Sequence, residues 1–405
     1  MELMRNGIQR YDWGSRSAIP ALLGLPPAND PQAEMWIGAH PAEPSVLESS
    51  DCSLITAIAH DPVRMLGESV IAQFGPRLPY LLKVLAADRP LSLQAHPSAA
   101  QAALGYAREN AAGVPVGAPT RNYKDPSHKP ELICALTEFH GLYGFRDPEA
   151  ILALTRQLAV PRLQQLVSPL QRDQTSAGMS SVFSALLQLD EEKLIPLLAD
   201  VRHSCHQRIT GGSEYEAEYQ TVLQLSDRFG ADAGVLVALL MNRITLRPGT
   251  ALYVPARKLH AYLSGVGVEI MANSDNVLRG GLTAKHVDLR ELTRVLDFST
   301  DSPTLVEPII TSDGEWIYQT PSPEFRLSRI EIDGQWRPLH HPGPQILLAV
   351  DGDLRVRDKH GDGLTLGRGR SIWIPAADQE VSITGRGTVF RAIDGVAPVA
   401  DMAAA

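Results

Sequence analysis

The run Pro90-Leu91-Ser92-Leu93-Gln94-Ala95-His96-Pro97 constrains this chain more than any other. In an extended strand successive side chains point to opposite faces. Ser92, Gln94 and His96 then share one face, and Leu91, Leu93 and Ala95 the other. A hydroxyl, an amide and an imidazole in alternation do not make a core face. That face is either solvated or looks into a polar site. Pro90 and Pro97 bracket the run, which suits a short strand entering and leaving a barrel wall.

Two further stretches carry groups that could complete a site. One runs from Tyr123 to Leu132 and contains Lys129 and Glu131. The other contains His260 and Tyr262 and continues from Gly267 to Thr283, with Glu269, Asp275 and Arg279. Gln94, His96, Glu131 and His260 together offer two imidazoles, a carboxylate and an amide oxygen. Such N/O donors suit zinc and, less exclusively, iron, manganese or cobalt. No fixed local spacing links the four, so spacing by itself does not establish a metal site.

The chain has 405 residues, enough for two or three domains and an ample core. Its 44% hydrophobic and 20% charged residues are a globular composition. No apolar run approaches the roughly 18 residues of a membrane span. The first residues lack the basic-then-apolar pattern of a secretory signal. Cys52, Cys134 and Cys205 are few, odd in number and far apart, which predicts reduced, buried thiols and a cytoplasmic location. A formal net charge of −9 disfavours nucleic acid and anionic membrane as partners.

Along the chain the apolar period changes twice. Leu54 to Phe74 reads as helical, Leu81 to Leu85 as a buried strand, and Ser98 to Asn110 as a helix with Ser98 at its cap. Glu131 begins a strand-like run. Asp147-Pro148 then opens a stretch of 3.6-residue period that lasts to about Met241, with Asp190 as another helix start. His203 and His206 fall here and read as surface residues of a helix. Period 2 returns from Ile244 to Pro255, and Val266 to Met271 forms a strand with Gly267, Glu269 and Met271 on one face. Thr283 to Leu296 reads as helical. Beyond Phe298 the chain is strand and turn to its end, with His340 and His341 lacking partners. The expected fold is mainly β: two jelly-roll barrels with an all-helical insert. The divisions are 1–146 and 242–300 for the first barrel, 147–241 for the insert, and 301–405 for a second barrel without metal.

Ala33 to Pro41, Leu78 to Ser98, Tyr123 to Leu132 and Pro248 to Lys285 carry a resemblance. In that order they resemble the type I mannose-6-phosphate isomerases, zinc enzymes built on cupin barrels. The resemblance covers most of the first 150 residues and roughly 240 to 300. Ser127 departs from it, where the family usually has Asn. The resemblance implies one Zn²⁺ per chain held by Gln94, His96, Glu131 and His260. It implies Arg279 as a catalytic cation and a phosphorylated hexose as substrate, in a chain that works as a monomer. An anionic substrate against an acidic background needs a locally basic pocket, which Lys129, Arg279 and Lys285 could supply. Lys129 is two residues before Glu131, hence on its face if extended, and is a candidate proton shuttle. Glu269 is the candidate base and Asp275 its alternative. Ser92, Tyr262, Asp275 and Lys285 are candidate substrate contacts.

Two other readings stay open at this point. Two histidines and one carboxylate also suit an iron cupin oxygenase. A metal-free, two-barrel sugar-binding protein is the third.

Overall fold

The computed structural model describes residues 1–300 and 302–396. The end of the expected second barrel, 397–405, lies outside them. Two antiparallel sheets of eleven strands each organise the chain. In the first, strand His260–Ala272 is the hub, 13 residues long. It pairs with Tyr80–Ala87, Glu131–Ala135, Phe139–Phe145 and Gln94–Ala95. Leu278–Arg279 joins on the far side of Gln94–Ala95.

Helix and strand share the chain in comparable measure, so the expectation of a mainly β protein is corrected to a mixed one. The strands are many but mostly short, whereas from Pro148 to Leu240 every regular element is helical. Asp147 caps the first of these, accepting the N–H groups of Glu149 and Ala150, with Pro148 at the first helical position. Asp190 accepts from the Lys193 N–H and starts helix Glu191–Thr210. Two other helical expectations were too long. Leu54 to Phe74 is three helices, because Asp61 caps a new start at Pro62 and Gly67 turns the chain at φ 79°. From Thr283 to Leu296 only Leu289–Val295 is helical, started by Asp288 accepting from the Glu291 N–H.

The helices decide which way the site faces. Leu154, Leu163, Phe183, Leu186 and Leu198 pack in one core with Leu93 and Ala95, and with Leu259 and Ala261. Those last four are the sequence neighbours of Gln94, His96 and His260. Their burial against the helices drives the alternating polar side chains to the opposite face.

The second sheet backs the first. Tyr80, Leu82, Val84 and Ile270 share a core with Ile346, Leu348, Trp373 and Phe390. The Tyr80 hydroxyl donates to the carbonyl of Ala392 at 3.2 Å, and that of Tyr318 to the carbonyl of Gly249 at 2.8 Å. His341 is not without a partner: it is buried, with Nε2 2.6 Å from Asp394 Oδ2. Beside it the guanidinium of Arg391 donates to Gln345 and Glu315. The chain crosses between sheets early. Strand Glu2–Arg5 pairs with Ser371–Ile374 of the second sheet, while Gly7–Gln9 pairs with Glu34–Gly38 of the first.

Candidate metal centre and active site

His96, Glu131 and His260 meet on the interior of the first sheet, all buried. Their ligand atoms lie within 4.8 Å of one another. His96 Nε2 is 3.3 Å from Glu131 Oε1, and His260 Nε2 is 3.4 Å from Glu131 Oε2. The ring centroids are 5.0 Å apart.

The far nitrogens explain the near ones. His96 Nδ1–H donates to the Asn276 carbonyl at 2.7 Å, and His260 Nδ1–H to the Lys258 carbonyl at 3.1 Å. Each ring then presents a bare Nε2 lone pair to a carboxylate, which only accepts. His96 Nε2 is accordingly a buried nitrogen without a hydrogen-bond partner. Burial also pushes the His96 imidazole down to about 4, so it is neutral at pH 7. Burial alone would raise Glu131, but the Lys129 ammonium 3.0 Å away holds it well below the usual carboxylate range. Lone pairs converging without a proton between them need a cation. The backbone carbonyls behind both rings are the partners a metal-ligating histidine requires.

Gln94 sits in register opposite His260 on one side and Arg279 on the other. Directly opposed residues of antiparallel strands share a face, so Gln94 and Arg279 lie on the face of His260. Ser92 is half-buried, two residues before Gln94. Lys129 is buried, with Nζ 3.0 Å from Glu131 Oε1, as its spacing suggests.

Glu269 lies on the interior face with Glu131, since Glu131 pairs with Met271 two residues on. Its Oε2 is 3.1 Å from Lys83 Nζ, and its Oε1 accepts from the Tyr262 hydroxyl at 3.0 Å. Tyr262 therefore contacts Glu269 directly. Lys83 also stands 3.6 Å from Glu34, whose Oε2 accepts from Trp36 Nε1 at 2.6 Å. Burial raises Glu269 above the usual carboxylate range, and the carboxylates of Glu131 and Glu34 add to it against the pull of Lys83. Burial opposes the charge on Lys83, yet Glu34 and Glu269 outweigh it and hold the ammonium above the ordinary lysine range. Burial drives the rise of Glu269 and the two carboxylates that of Lys83. Lys83 was read only as part of a buried strand. A lysine inside an eight-residue run buried throughout was the available signal.

Arg279 is half-buried and makes no ion pair among the described residues; burial alone lowers it from the ordinary arginine value. Lys285 is exposed, lowered by burial and then by the like charges of Arg279 and Lys124. These three cations form the basic side of the site. Asp275 is half-exposed, and His40 holds it. The Ala42 N–H donates to His40 Nδ1, so His40 Nε2–H points at Asp275 Oδ1, 3.3 Å away. His40 was not among the sequence candidates, because its partner lies 235 positions on. Both line a cleft of about 430 Å³ with Arg77, Lys124 and Asp125. The loop above the metal cluster is fastened by Asp125, which accepts from Ser274 Oγ and the Asp275 N–H. Ser127 serves this loop through its main-chain carbonyl, which accepts from Asn276 Nδ2 at 2.8 Å. His128 reaches instead to Glu324, at 2.6 Å.

Sheet and cluster define a protein with a buried centre of two histidines and one carboxylate, the one such cluster among the described residues. Residues 1–148 match the family described as "Phosphomannose isomerase type I, catalytic domain". Mannose-6-phosphate isomerase of Escherichia coli (strain K12) is 34% identical over 397 residues, covering 96% of this chain and 99% of that protein. A solved structure of a mutant phosphomannose isomerase from Salmonella typhimurium superposes with a TM-score of 0.90 at 35% identity, over 97% of this chain and 99% of that one. A zinc-bound mannose 6-phosphate isomerase superposes with a TM-score of 0.88 at 34% identity, over 97% and 99%. The chain belongs to the type I mannose-6-phosphate isomerase family and is an isomerase.

Proposed function

We propose that the chain interconverts mannose 6-phosphate and fructose 6-phosphate through an enediol. It would use one Zn²⁺ held by Gln94, His96, Glu131 and His260. The observation that carries this is the convergence of two imidazole Nε2 atoms on Glu131, each ring held at Nδ1 by a backbone carbonyl. Bound zinc supplies a Lewis acid for the carbonyl and for enediolate charge. A neutral Gln94, in place of a second carboxylate, keeps the centre more cationic.

The residues do the rest. Glu269 takes the proton from C2 of the aldose and returns it to C1, while the O2 hydroxyl proton passes to O1 and a C2 carbonyl forms. A carboxyl raised by burial suits a base that must also give the proton back. Tyr262 and Lys83 hold its two oxygens. Lys129, 3.0 Å from Glu131, stands ready to shuttle the hydroxyl proton. Arg279, without an ion pair among the described residues, stabilises developing oxyanion charge. Lys285, with Lys124 beside it, takes the phosphate. Ser92 and Asp275 contact sugar hydroxyls.

We read the two sheets as cupin-type jelly rolls, the catalytic one drawn mainly from 1–146 and 242–300 and the metal-free one mainly from 301–405, with Glu2–Arg5 crossing into it. The stretch 147–241 is their helical insert. The acidic chain is read as a cytoplasmic monomer without nucleic-acid or membrane partners. No helix among the described residues is long and apolar enough to cross a membrane.

The test is a coupled assay of mannose 6-phosphate conversion on native, chelator-stripped and zinc-restored protein. Loss on stripping and recovery with zinc supports the reading. Activity indifferent to stripping overturns the mechanism, and oxygen uptake with iron favours an oxygenase.

A further inference from the structure

Arg257 is exposed and touches no candidate site residue with its side chain. Its backbone nonetheless touches the main chain of one ligand and adjoins the carbonyl that holds the ring of the other. It lies in the turn between strand Ala251–Val254 and His260, at φ 73°, a left-handed conformation that a residue with a Cβ resists. In that conformation its N–H donates to the His96 carbonyl at 2.7 Å. The next carbonyl, that of Lys258, accepts from His260 Nδ1–H. One turn thus fixes the main chain of one ligand and the ring of the other.

Something must hold the turn against its intrinsic preference. The Arg257 guanidinium crosses to the end of helix Leu289–Val295. There Nε donates to the Val295 carbonyl at 3.1 Å and a terminal nitrogen to that of Leu296 at 3.5 Å. Carbonyls at a helix C-terminus have no partner within the helix, so they accept this cation readily. The Arg257 carbonyl closes the loop by accepting the Asp297 N–H at 3.0 Å.

We infer that Arg257 is a positioning residue for the metal centre: its side chain anchors a left-handed turn whose backbone sets the orientation of His96 and His260. The inference rests on the metal reading above. Glycine adopts the left-handed region without penalty, alanine resists it, and a β-branched residue resists it most.

The experiment is a chelator competition for zinc on Arg257→Gly, Arg257→Ala and Arg257→Val, each first shown folded by circular dichroism. Nitrogen-15 spectra of labelled histidines are taken on the same proteins without metal. Supporting partners behind a ligand are worth about 10- to 100-fold in metal affinity. Arg257→Val should weaken zinc binding by about that much, Arg257→Ala by less, and Arg257→Gly by no more than about threefold. In the spectra Arg257→Val should lose the fixed Nδ1–H tautomer at His260, while Arg257→Gly keeps it; the His96 ring, held by the Asn276 carbonyl, is the internal reference. Equal affinities in all three variants, whether all at the parent's value or all weak, overturn the inference. A parent that binds no zinc overturns the function proposed above, and the spectra then still decide whether Arg257 orders the His260 ring.

Discussion

Lys83 stands directly across the strand pair from Glu269, and its ammonium lies 3.1 Å from that carboxylate, both side chains nearly sealed from water. The contact spans 186 positions of sequence and shares its cation with Glu34. Removing one member of a buried pair leaves the other charge without compensation, at a cost of about 3–5 kcal/mol. Lys83→Met should therefore destabilise the fold by about that much in urea unfolding. Adding Glu269→Gln should restore part of the loss, since the orphaned charge is removed as well. A Lys83→Met protein as stable as the parent would show that water or a proton already neutralises this corner.

The metal ligands and the cation should separate in their effects. His96→Ala and Glu131→Ala should lose both bound metal and activity, because the remaining donors no longer converge. Arg279→Ala should keep the metal and lose activity by about 10²–10³-fold, the usual loss of one group that stabilises an oxyanion. Glu269→Gln should keep the metal and lower kcat by about 10²–10⁴-fold. Metal content is measured on each purified protein beside the rate. Full metal retention in the first two would sink the ligand assignment.

The three cysteines should differ in reactivity. Burial pushes Cys134 up to about 11 and Cys205 up to about 12, and the thiolate is the nucleophile. At pH 8 the native protein should react with a thiol reagent at Cys52 alone, which is partly exposed. Unfolding in denaturant should release the other two. Peptide mapping after labelling gives the answer directly.

Asp297 should make acid stability visible near the site. Burial acts to raise it, but Lys258 Nζ at 2.9 Å and two hydrogen bonds from Ser299 bring it down to about 2. Because the folded value lies below the unfolded one of about 3.9, its stabilisation is complete above that value. It disappears as pH falls toward 2. The stability gap between the parent and Asp297→Asn should be present at pH 6 and shrink between pH 4 and pH 2. A gap that is constant with pH would assign the effect to packing.

What could be read from the sequence was whatever local chemistry specifies. Asp147 with Pro148, and Asp190, announce helix starts because a cap works within three residues. Lys129 meets Glu131 across a two-residue spacing just ahead of strand Glu131–Ala135. His96, Glu131 and His260 could be named from their motifs, and the apolar neighbours Leu93, Ala95 and Leu259 foretold which face they would leave free. The remainder depended on strand partners far away. Lys83 reaches Glu269 only because Tyr80–Ala87 lies beside His260–Ala272, and His40 reaches Asp275 across a comparable distance. His341 seemed unpartnered until Asp394 was brought up to it from the last strand's end. The left-handed turn at Arg257 carries no glycine, so nothing in the local composition marks it.

The early crossing of the chain between its sheets sets a timetable for making it. Strand Glu2–Arg5 pairs on one edge with Val46–Leu47, made soon after it, but on the other with Ser371–Ile374, made about 370 residues later. At about 5–20 residues per second the first strand waits roughly 20 to 75 seconds for that edge. Through that interval Met4, which the finished molecule buries between the two sheets, stays uncovered beside an unpaired row of backbone donors and acceptors. The nascent chain is then a natural client for a holding chaperone. Released chains that stop before residue 371 should leave Glu2–Arg5 open to protease, and the released 405-residue chain should keep it closed.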